Sequence, residues 1–114
     1  MENDKSMILE VLGDTPELRI IDFLIVNLHT PIYKNEIISR IGSNRNTFFR
    51  AWKNMEKYGI VKPYKKVGRA TLYVLNKENK IVKWILKLDW ALLERSFSEI
   101  EMPKKAEVAV RIEH

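Results

Sequence analysis

SNRNTFFRAWKNMEKYGIV, Ser43–Val61, carries four positive charges and one negative beside Phe48, Phe49, Trp52 and Met55. A surface helix ordinarily balances its charges, and a core helix needs no surplus of cations. Phe48, Ala51, Trp52 and Met55 recur at the i, i+3, i+4, i+7 spacing of one helical face. Arg45, Asn46, Phe49, Arg50, Lys53 and Lys57 fall on the other faces. Asn44 is the expected N-cap, with Ser43 as the alternative, and Gly59 stops the helix. The stretch reads as a helix with an apolar face for a core and a cationic face for something outside the chain.

The rest of the charge pattern sharpens this. Of 114 residues with net charge +5, residues 42–70 hold eight Lys/Arg against one Asp/Glu. Residues 1–41 hold four against seven, and residues 71–114 eight against seven. A localised basic block is the footprint of a polyanion binder. The sequence has no cysteine and two histidines, His29 and His114. That excludes disulfides and thiolate chemistry and leaves no metal-ligand cluster, so no metal and no cofactor are expected. The acidic start, with its short apolar run, does not read as a signal peptide, and no apolar segment approaches a membrane span. A cytoplasmic protein away from the membrane is expected.

Outward from the basic helix, the other elements follow from spacing and caps. Thr15, Pro16 and Glu17 open a helix whose stripe is Leu18, Ile21, Leu24, Ile25 and Leu28. Upstream, MILEVL fits a helix or a strand, with composition leaning to helix. IYKNEIISRIG is a second, shorter helix ending at Gly42. After the basic helix, Ile60–Tyr64 and Ala70–Leu75 read as strands flanking KKVGR, with Gly68 in the turn. Pro63 confines its strand to an edge or marks a bulge. A long helix follows, capped by Asn76 or Asn79 and ended by Pro103. Its apolar residues make two stripes, one of Ile81, Trp84, Ile85, Leu88 and Leu92, the other of Leu86, Trp90, Leu93 and Phe97. AEVAVRIEH alternates as a final strand or is a tail.

Three fragments carry a resemblance. LGDTPELRIIDFL (Leu12–Leu24) resembles the first-helix signature of the ArsR group. NRNTFFRAWKNMEKYGIV (Asn44–Val61) resembles a recognition helix followed by its Gly-Ile-Val exit. VGRATLYVLN (Val67–Asn76) resembles a wing. In that order, the chain resembles winged helix-turn-helix transcription regulators of the ArsR/MarR-like kind common in archaea. The fold implied is α+β. A winged helix-turn-helix domain of three helices and a two- or three-stranded β wing spans 1–76. A long C-terminal helix spans 77–102, and 103–114 is a short strand or tail. Two features depart from the family: the Cys/His clusters of its metal sensors are missing, and Ser43 stands where the pattern usually has an aliphatic residue.

The partner implied is double-stranded DNA, bound by a homodimer. A helix N-terminus in the major groove would present Arg45 and Asn46 to base edges, with Phe49 and Arg50 a turn on and Lys53 on phosphate. Asn44 lies at the same helix start. Lys65, Lys66 and Arg69 around the turn suit a minor groove or backbone. Tyr33 and Lys34 are candidates for backbone contact. Leu86, Trp90, Leu93 and Phe97 are the expected dimer interface. Each has a plainer alternative: Arg50 could pair with Glu56, and Phe49 could be core. Non-specific architectural DNA binding and a protein-assembly module are the competing functions. No enzyme is expected: Asp89, Glu94 and Glu99 share a helix with lysines and have no nucleophile or histidine near them.

Overall fold

The computed structural model describes residues 6–100, with backbone alone at 99 and 100. The expected tail or strand over 103–114, the stop at Pro103 and His114 lie outside the described residues. Five helices and three strands follow one another: α1 (Met7–Leu12), α2 (Pro16–Val26), β1 (Ile32–Tyr33), α3 (Lys34–Ile41), α4 (Arg45–Lys57), β2 (Val61–Val67), β3 (Ala70–Leu75) and α5 (Lys80–Ile100). The architecture is α+β, a winged helix with a long helix appended.

Local chemistry sets the helix starts. The Thr15 hydroxyl accepts the Leu18 N–H at 3.1 Å, with Pro16 in the first turn of α2. Asn44 caps α4: its Oδ1 accepts from Asn46 N–H at 2.8 Å and Thr47 N–H at 3.2 Å. Of the two cap candidates for α5, Asn79 takes the role, its Oδ1 accepting the Val82 N–H at 3.1 Å. Asn76 serves the link before it, donating to the Gly59 carbonyl at 3.0 Å. Such caps satisfy helix-end donors that have no partner in the helix itself.

The sheet has the order β1-β3-β2, all antiparallel. β2 is an edge, which accommodates the missing N–H of Pro63. The register shifts between Pro63, opposite Tyr73, and Lys65, opposite Leu72, so Tyr64 is the bulged residue. The hairpin is longer than the sequence suggested. β2 runs on through Lys65 and Lys66 to Val67, and the turn is Gly68–Arg69 alone. Gly68 takes φ +64 there, a conformation that a two-residue turn requires and that glycine adopts without strain. β1 is only two residues long and follows from pairing with β3, not from any pattern of its own.

The core lies where α2, α3, α4 and the sheet meet. Phe48, Ala51, Trp52 and Met55 from α4 join Ile20, Ile21 and Leu24 from α2, Ile37 from α3 and Leu75 from β3. Phe48 and Trp52 stack at 5.4 Å, and Trp52 meets Tyr73 of β3 edge-on at 5.1 Å. Burial of this apolar area is the main stabilising term. The start of α5 joins the same core through Val82, with Ile85 and Leu86 packed against it. Here the expected stripes change. Ile81 and Trp84, assigned to a packed face, are exposed, and Val82, assigned to neither, is buried. The link from Asn76 to Asn79 rotates the helix so that Val82, Ile85 and Leu86 face inward. Leu86, expected at a dimer interface, is thus partly committed to its own subunit.

Candidate nucleic-acid interface

α3 and α4 are joined by a three-residue turn, Gly42–Asn44, which holds α4 across α2 with its buried face inward. Everything else on α4 is turned outward. Arg45, Asn46, Phe49, Arg50 and Lys53 are all exposed. The hairpin beside them exposes Lys65, Lys66 and Arg69. Among the described residues, Arg50, Lys53, Lys65, Lys66 and Arg69 have no ion-pair partner. The suggested Arg50–Glu56 pair does not form. By contrast Lys62, one strand position from the buried base of the hairpin, bonds Glu78 at 2.9 Å and has an internal role.

Arg45 is placed by two contacts. Its Nη1 donates to Asn35 Oδ1 at 3.0 Å, and its guanidinium lies over the Phe49 ring at 5.2 Å. Both restrain a long side chain near the start of α4, where an arginine aimed at a base loses less entropy on binding. Asn35 was not anticipated. Its role arises where α3 crosses α4, and no local pattern reports that crossing. Phe49, left open by the sequence, is 38% exposed. It lies edge-on to Phe48 at 5.2 Å and is flanked by Arg45 and Lys34.

Tyr33, Lys34, Phe49 and Arg69 come together around one cleft of about 320 Å³ between α3, α4 and the wing, with Asn35 and Tyr73 on its walls. Asn44, Asn46, Arg50, Lys53, Lys65 and Lys66 lie outside that cleft. The Asn44 oxygen is occupied by capping, which leaves only its amide nitrogen for a partner. Among the described residues no group of three or more His, Asp or Glu side chains forms a metal site. No described helix is long and apolar enough to cross a membrane.

No protein-family model and no curated protein matches the chain. Solved structures do match its shape. MepR of Staphylococcus aureus, a transcription regulator of the multidrug efflux pump MepA, is 11% identical with a TM-score of 0.59 over 92% of this chain and 78% of that one. A MepR mutant bound to an oligodeoxyribonucleotide gives 14% and 0.57, over 90% and 76%. A MarR-family regulator from Silicibacter pomeroyi gives 14% and 0.56, over 90% and 68%. F-93 of SSV1 gives 18% and 0.53, over 77% of this chain and 94% of its own. The chain therefore has the winged helix-turn-helix fold found in MarR-type transcription regulators.

Proposed function

We propose that the chain is a sequence-specific, double-stranded-DNA-binding transcriptional regulator that acts as a homodimer in the cytoplasm. α4 enters the major groove, and the wing over 65–69 lies on the minor groove or the backbone. One observation carries the reading: the outward face of α4 and the adjoining hairpin together expose Arg50, Lys53, Lys65, Lys66 and Arg69, none of which has an ion-pair partner among the described residues. Such cations release counterions from a nucleic acid and supply most of its non-specific affinity. Arg45, Asn46 and Arg50 are the groups for base edges, since arginine suits guanine and asparagine suits adenine. Lys53, Lys65, Lys66 and Tyr33 are the groups for phosphate. A MepR mutant that shares the fold is bound to an oligodeoxyribonucleotide, which supports DNA as the partner.

Dimerisation is supported by α5, where Trp84, Trp90 and Phe97 are 64%, 62% and 58% exposed. Exposed aromatic surface at that density favours burial against a partner. Trp90, Leu93 and Phe97, with the outer edge of Leu86, form the proposed contact between copies. Two-fold symmetry then places two copies of α4 about one helical turn apart on a pseudo-palindrome.

Selection from a random duplex pool, with binding followed at two salt concentrations, tests the reading. An inverted repeat bound well above background at the higher salt is the expected result. Uniform binding that collapses with salt would make the protein architectural. No binding at either salt would leave assembly with other proteins as its role.

A further inference from the structure

Lys34 is the first residue of α3, where the helix dipole disfavours a cation. It forms no ion pair or hydrogen bond among the described residues, and Glu36, the acid of that turn, is bonded to Arg40 instead. What surrounds its ammonium is aromatic. The Nζ lies 5.8 Å from the Phe49 ring centre, 5.5 Å from Trp52 and 5.1 Å from Tyr73. A cation over ring faces is attracted by their quadrupoles, and the attraction strengthens as water is excluded.

The three rings belong to different parts of the interface. Trp52 is buried in the core face of α4, and Tyr73 belongs to β3, the strand that leads away from the wing turn. Phe49 stands on the outward face of α4, directly beneath the Arg45 guanidinium. Core packing fixes Trp52. Phe49 is exposed, and its position depends on Phe48 and on the two cations beside it. We propose that Lys34 is a positioning residue for DNA readout: its ammonium ties α4 to the wing strand and holds Phe49 under Arg45. It acts through those residues and does not neutralise a phosphate. The inference rests on the DNA-binding reading above.

The test uses the full chain as wild type, Lys34→Met and Lys34→Arg. The probes are a duplex selected by the wild type and a scrambled duplex of equal length, each over a salt series. For Lys34→Met, affinity for the selected duplex should fall about tenfold, the range of the cost of ordering one or two side chains afresh on binding. Scrambled binding and the salt slope should stay as in wild type. Lys34→Arg, which keeps the cation, should restore most of the loss. Equal loss on both duplexes, with the log–log slope reduced by about 0.9, would identify a phosphate contact and overturn the proposal. No loss at all would also overturn it. A second readout needs no DNA. Ring currents should move the Lys34 ε-methylene protons upfield of those of the lysines that face no ring, which leaves out Lys57 and Lys87, and a Lys34 signal among those ring-free lysines would overturn the clamp. A wild type that binds both duplexes equally would overturn sequence-specific recognition, and the readout role of Lys34 with it. The methylene shift would then still show whether the clamp exists.

Discussion

Arg45 and Arg50 differ in how they are held, although both are exposed on α4. Arg45 is held by a bond from Nη1 to Asn35, which leaves its other N–H donors for a base, whereas Arg50 has no partner among the described residues to hold it. Arg45→Ala or Arg50→Ala should each cost about 1–3 kcal/mol in binding the selected duplex and relax preference at one base position. Lys66→Ala should weaken all duplexes alike and lower the salt slope by about 1. Competition titrations with single-base variants of the site separate these patterns. Equal weakening on random and selected DNA by all three would remove the base-reading assignment. Asn44 combines a cap and a candidate contact, and substitution can part them. Asn44→Ala should cost about 1 kcal/mol of stability, because Asn46 and Thr47 lose their acceptor. Asn44→Ser keeps an acceptor and should keep the melting temperature. Affinity that falls in the serine variant at unchanged stability would place the Asn44 amide on DNA.

At the scale of elements, the joint between α4 and α5 is built from Gly59 and two asparagines, Asn76 and Asn79. Gly59 follows α4 at φ +69, and a Cβ there would lie 2.9 Å from Asn79 Nδ2. That same amide donates to the Tyr58 carbonyl at 2.9 Å, while its oxygen caps α5. Gly59→Ala should destabilise the protein by about 1–3 kcal/mol, from the left-handed backbone and the displaced cap together. In an Asn79→Ala background the steric part is already gone, so the same change should cost less. A double-mutant cycle by denaturant melting reads the difference, and additive costs would show that the two residues do not interact. This joint also marks where sequence stops reporting structure. The start of α2, the α4 face, the Asn44 cap and the Pro63 bulge were legible, because each depends on residues within one or two turns. The inward turn of Val82 was not, since it depends on how Asn76 and Asn79 anchor the link to Gly59 and Tyr58. β1 and the Arg45–Asn35 bond were hidden for the same reason: both arise from contacts distant in sequence.

For the molecule as a whole, charge is divided between two regions. The cations gather on α4 and the wing, while a carboxyl pair, Asp22 of α2 and Asp89 of α5, lies where α1 and α5 pack beside α2. Burial raises the pKa of Asp22; a hydrogen bond with Ser6, the cap of α1, opposes that, and the charge of Asp89 adds to it. Burial raises Asp89 too. A carboxyl whose pKa rises on folding holds more proton in the folded chain than in the unfolded one. Stability from it is therefore full below its unfolded pKa of about 4 and is lost as pH rises through the folded value. Glu78 runs the other way: its hydrogen bond with Lys62 lowers its pKa, so its contribution is present above the unfolded value and is lost on acidification. Asp22→Asn keeps an acceptor for Ser6 and removes the partly buried charge. It should raise the melting temperature at neutral pH, and the gain should shrink to nothing as pH falls below about 4, where the wild-type carboxyl is protonated as well. Melting curves over a pH series on both proteins decide this. A variant that melts lower than wild type at neutral pH would mean that the Asp22 charge is held by favourable partners and that its burial is not the governing effect at the α1–α2–α5 junction.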